Sequence, residues 1–146
     1  MRILFLTPYP PFPPRGGGAL RIWNLLRGVA ARHSVTCLTF APDATAVAAL
    51  APLRAAAQVA TVIGPPRRSL TRRAWTSLTS PLPDMALRNA SPAYAEALSR
   101  LLAAERFDVV QAESIEMAGY ALQAAPLGSR IILDEFNAEY MLQRRA

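Results

Sequence analysis

Three adjacent glycines, Gly16, Gly17 and Gly18, stand directly before an amphipathic stretch that opens near Ala19. Ahead of them lies an apolar run, Ile3 to Leu6, and then the proline-rich segment Pro8 to Arg15. Strand, glycine turn and helix in that order can hold an anion. Bare backbone N–H groups and the positive helix end then point at one spot. The plainer reading is a flexible turn that lets the chain enter the helix. As a dinucleotide fingerprint the pattern fails. Arg21 takes the place of the third glycine, and ten residues separate Thr7 from Gly18. A nicotinamide site needs a tight turn straight after the strand, with an acid at the end of the second strand. Here Phe40-Ala41-Pro42 precedes Asp43.

Composition removes other chemistries. All sixteen basic residues are arginine, and the formal charge is +6. Without lysine there is no Walker-type phosphate loop and no Schiff-base nucleophile. One cysteine, Cys37, forms no internal disulfide and reads as a small buried hydrophobe. One His and one Cys make no zinc site of the usual kind. His33 closes the first helix, where the dipole favours a cation. Arg67, Arg68, Arg72 and Arg73, with Leu70 and Trp75, read either as a membrane-surface patch or as a solvated face. The arginines lack interleaved stacking aromatics, which argues against nucleic acid.

These residues need elements to position them. Arg2–Thr7, Ser34–Phe40, Gln58–Ile63, Phe107–Ala112 and Arg130–Asp134 read as buried strands. Helices are expected over Ala19–Arg32, over Pro42–Ala57 opening near Asp43, and from Ser91-Pro92 to about Arg106. Two more are expected over Glu113–Ala125 and from Phe136 onward. Arg67 to Pro92 is the least regular part, with room for one or two short helices. Alternating strands and helices predict an α/β fold: a Rossmann-like parallel sheet with helices on both faces, three layers in all. Ligands in such sheets bind beyond the carboxyl ends of the strands. One domain over residues 1–146 is expected. No stretch approaches the roughly 20 apolar residues of a membrane span, so a cytoplasmic protein is expected, with peripheral contact at the inner face of the membrane as a further option. The terminal E-Y-M-L-Q-R-R-A shows no helix stop signal, which suggests a truncated product or a fragment.

The segment L-T-P-Y-P-P-F-P-P-R-G-G-G-A-L-R-I-W-N-L-L resembles the start of family 4 glycosyltransferases. The likeness recurs at R-H-S-V-T-C-L-T-F, at F-D-V-V-Q-A-E-S-I-E-M-A-G-Y and at I-I-L-D-E-F-N-A-E-Y-M-L-Q-R-R-A. The resemblance implies the acceptor-binding N-terminal half of a two-domain enzyme. Its Gly16–Gly18 loop would lie against the phosphates of a nucleotide-sugar donor. The donor-binding C-terminal half, with its paired glutamates, has no counterpart in these residues. The resemblance further implies a glycan or lipid-linked acceptor, retention of configuration and no metal or other cofactor. The half alone is expected to be inactive.

Glu113 and Glu116, three apart in an expected first helical turn, share roughly one face. They either bind sugar hydroxyls or complement the helix N-terminus. In D134-E135-F136-N137-A138-E139-Y140 the family often carries histidine where Phe136 stands. Phenylalanine donates nothing to a phosphate or a hydroxyl. Asn137, Glu139 and Tyr140 keep the rest of the pattern, with Asn137 either capping a helix or touching substrate. The substrate-binding candidates are therefore Gly16, Gly17, Gly18, Glu113, Glu116, Asn137 and Glu139. Two rival classes remain: a non-catalytic Rossmann-like binding or adaptor module, and a nicotinamide-dependent oxidoreductase despite the broken fingerprint.

Overall fold

The computed structural model describes residues 1–66, 68–80, 84 and 86–135. The chain runs β1 (Arg2–Thr7), α1 (Gly17–Ala30), β2 (Ser34–Ala41), α2 (Ala44–Ala48), α3 (Ala51–Arg54) and β3 (Gln58–Ile63). It continues through α4 (Leu70–Thr79), α5 (Pro92–Ala104), β4 (Val109–Glu113), α6 (Ile115–Ala121), a 3-10 turn (Leu122–Leu127) and β5 (Arg130–Asp134). The five strands form one parallel sheet in the order β3-β2-β1-β4-β5. This is the expected Rossmann-like α/β fold.

Strand alternation builds two cores. Ile3 and Phe5 of β1 join Val35 and Cys37 of β2, Leu26 of α1 and Leu53 of α3 on one face. Leu4 and Leu6 join Leu38, Phe40, Val110, Tyr94 and Leu98 of α5 and Met117 of α6 on the other. Successive strand residues point to opposite faces, so apolar runs without alternation must be covered twice. Burial pushes the Cys37 thiol up to about 12, which makes it inert. On the α5 face, Tyr94 lies between Phe40 and Tyr120, with ring centroids 4.4 and 4.6 Å away. The Tyr94 hydroxyl donates to the Leu38 carbonyl at 2.7 Å and ties α5 to β2.

Several expected boundaries move. The first helix, expected over Ala19–Arg32, spans Gly17–Ala30, so two of the three glycines lie in its first turn, and β2 runs one residue further, to Ala41. The single helix over 42–57 is two short ones, because Pro52 lacks an N–H and fits only a first helical turn. Asp43 does open the first of them, accepting from the Ala46 N–H at 2.8 Å. The last expected helix over described residues begins at Ile115, and tightens to 3-10 geometry at Leu122. Glu113 is therefore the final residue of β4, and it does not share a helix face with Glu116. The Asp108 carboxylate instead accepts from the Arg2 N–H at 2.7 Å, just before β4 begins. Ser91 caps α5 as expected, accepting from the Tyr94 N–H at 3.3 Å.

Candidate functional site

The strand order reverses direction between β1 and β4. Loops leaving the two strands there diverge to opposite faces and leave a crevice at their carboxyl ends. The β1 loop delivers Gly16–Gly18 to this edge, and β4 delivers Glu113, Ser114 and Glu116.

Register places a row of polar side chains across this edge. Thr61 of β3 pairs with Thr39 of β2, Thr39 with Thr7 of β1, and Glu113 with Asp134 of β5. Leu6 pairs with Ala112, so Thr7 and Glu113 stand one step further on. All five share the α1 face by strand alternation. Three of them have partners. Thr39 Oγ1 donates to the Phe40 carbonyl at 3.0 Å. Asp134 takes Arg21 in a two-pronged pair, with Nη2 at 2.8 Å and Nε at 3.2 Å. Gln111 Nε2 donates to Glu113 Oε1 at 2.8 Å. At the centre two atoms remain. Thr7 Oγ1 and Glu113 Oε2 are buried without a hydrogen bond. The Cys37 sulfur stands near Thr7 but is a weak partner.

Burial, and then the Asp134 charge, push the Glu113 carboxyl up to about 7. Gln111 and Arg21 oppose the shift without cancelling it. Glu113 is thus poised to carry a proton near neutral pH. Tyr9, at the start of the proline loop, is raised by burial and then by the charges of Glu116 and Glu113.

The Gly16–Gly18 turn opens α1 without a side-chain cap and without an acid in the first turn. Gly16 has φ 92° and ψ 166°, a conformation that all but excludes other residues. Ser114, the residue before α6, adopts nearly the same one, with φ 84° and ψ 160°. A serine there is strained, and its hydroxyl is held by the Glu116 carboxylate. Arg88 approaches the other Glu116 oxygen at 3.6 Å.

Of the expected substrate-binding residues, Gly16, Gly17, Gly18, Glu113 and Glu116 all belong to this carboxyl edge. Asn137 and Glu139, with Phe136, lie outside the described residues. Thr7, Arg21, Ser114 and Asp134 are additions. The clue to Thr7 and Asp134 was their place as the last residue of a strand. Arg21, which breaks the dinucleotide fingerprint, has a role of its own: it reaches across β4 to Asp134. His33 lies far from this edge. It borders an open depression of about 690 Å³, with Met1, Arg2, Arg106 and Asp108 at the amino ends of the strands. Parallel sheets bind ligands at the other end.

Arg67 is outside the described residues. Arg68 is largely buried against Asp84 at 2.7 Å, and Arg73 reaches the same carboxylate at 3.3 Å. The arginine patch is therefore partly neutralised internally. No helix among the described residues is long and apolar enough to cross a membrane. No family model matches this chain, and no curated protein or solved structure does either.

Proposed function

We propose that this chain is the acceptor-side half of a glycosyltransferase that uses a nucleotide-sugar donor, of the family 4 type. The observation that carries the reading is the central pair of the polar row. A buried Glu113 with one bare oxygen, beside a Thr7 hydroxyl that has only the weak Cys37 thiol near it, stands where an open parallel sheet takes its ligand. Burying such groups without partners costs about 1–3 kcal/mol each, a cost that a ligand-binding edge explains. The uncapped glycine turn supports the same reading. Its N–H groups would stabilise the phosphate charge that develops as the donor bond breaks. Glu113 and Glu116 would orient acceptor hydroxyls, and Arg21 would hold the α1 start against β5.

Isotope-labelled chain titrated with UDP-glucose and GDP-mannose tests this. Saturable shifts of the Gly16–Gly18 amides are expected, without sugar release or transfer by this chain alone. Unshifted glycine amides with both donors would sink the donor-contact reading. Turnover of either donor would sink the half-enzyme reading.

A second reading, a membrane-attached adaptor, is favoured by α4. Leu70, Trp75 and Leu78 are 79%, 69% and 86% exposed. Trp75 and Leu78 are three apart and share a face, and an indole beside arginines suits an anionic lipid surface. Flotation with phosphatidylglycerol vesicles tests it. Binding that is lost in the W75A/L78A double variant is expected, and a chain that stays unbound refutes it.

A further inference from the structure

A second recess lies on the β2 side of β1, with Tyr9 on its wall within reach of the Glu113 and Glu116 charges. The proline loop and the turn after β2 enclose a cavity of about 340 Å³, lined by Tyr9, Phe12, Arg15, Pro42, Ala46 and Ala49 among others. That volume is at the lower end of small-molecule pockets, roughly 300–1,000 Å³, and suits one ring or a short chain. Its walls are mainly apolar and locally stiff. Phe12 packs on Trp23 at 5.0 Å between centroids, and the Arg27 guanidinium covers the same indole at 5.3 Å.

The polar groups at the rim are unevenly committed. Asp43 lines the recess but is engaged in capping α2 through the Ala46 N–H. Thr45 adds a hydroxyl. Arg15 is exposed, and among the described residues no carboxylate pairs with it. Ala19, in the first turn of α1, forms part of the wall. That turn is uncapped and carries no acid. Arg15 is therefore the cation of a mainly apolar lining, while the Asp43 carboxylate on the same wall is turned to its capping bond.

We infer that this recess binds a small amphiphilic phosphate ester, with an aryl or short alkyl body in the cavity and the phosphate on Arg15. The body gains by leaving water for the Phe12 and proline walls. The phosphate gains a charge-assisted pair, with help from the α1 start. Nothing in this recess belongs to the Glu113 row, so failure of the sugar-transfer reading leaves it standing.

Calorimetric titration of the purified chain tests the inference with phenyl phosphate and hexyl phosphate. Phenol, hexanol and inorganic phosphate serve as the separate halves. At least one ester is expected to bind at one site, about tenfold or more tighter than either of its halves. The two esters distinguish an aryl from an alkyl body. R15A should weaken the ester about tenfold, in line with loss of one charge-assisted contact. A46W and, independently, A49F should fill the cavity and abolish ester binding, with circular dichroism and melting showing which variant keeps the fold. Three results would overturn the inference: no saturable binding of either ester up to about 10 mM, binding no tighter than inorganic phosphate, or binding that survives in a folded cavity-filled variant.

Discussion

Glu113 ends β4 with one carboxylate oxygen bonded to Gln111 and the other bare. Its carboxyl sits at about 7, against an ordinary 4.5. The folded state therefore holds this proton more tightly than the unfolded chain does. The resulting stability is fully present below about 4.5 and is lost as pH rises to about 7. E113Q keeps the shape, removes the titration and brings an N–H donor to the bare side. Urea denaturation should show E113Q close to the parent protein near the acid end of that window. Above neutrality it should be more stable, by something on the order of 2 kcal/mol. Equal stabilities across the whole range would show that Glu113 is solvated. Ser114 gives a second test at this scale. Its φ of 84° costs a serine on the order of 1–3 kcal/mol. S114G relieves that strain while losing the bond to Glu116, whereas S114A loses the bond and keeps the strain. Chemical denaturation should rank S114G above the parent protein and S114A below it. A Gly variant that falls with the Ala one would mean that the hydroxyl outweighs the backbone.

At the scale of elements, the buried Tyr94 hydroxyl adds a hydrogen bond to the packing of α5 on β2. Y94F removes the 2.7 Å bond to Leu38 while leaving the ring between Phe40 and Tyr120. A loss of about 1–2 kcal/mol is expected, read as a melting point lower by a few degrees. An unchanged melting point would show the carbonyl satisfied without Tyr94. Most of this scaffold was legible in the residues. β1, β3 and β5 keep their expected limits, because Pro8, Gly64-Pro65-Pro66 and Asp134 close short apolar runs plainly. The split of α2 from α3 was written in Pro52 but masked by the alanines around it, which suit any helix. From its residue type Glu113 reads as the first turn of a helix, where acids are common. Tertiary pairing with Asp134 takes it into the sheet instead. The polar row was not legible, since neighbours such as Thr7 and Glu113 meet only through strand register. No local pattern encodes that.

In the whole molecule, two covered cores share one sheet, and its carboxyl edge carries two distinct features. The Glu113 row lies by the β1–β4 crevice, and the apolar recess lies on the β2 side of β1. The Gly16–Gly18 turn adjoins both, so a ligand at either place would be felt at the α1 start. The lone cysteine offers a different use of this architecture. Cys37 lies in the α1-side core with its thiol closed from solvent. A disulfide-exchange dye such as dithionitrobenzoate can reach that sulfur only when the β1–β2 layer opens. Its colour would then count openings of the sheet one molecule at a time, without any engineered probe. A ligand seated at the α1 start would slow that clock.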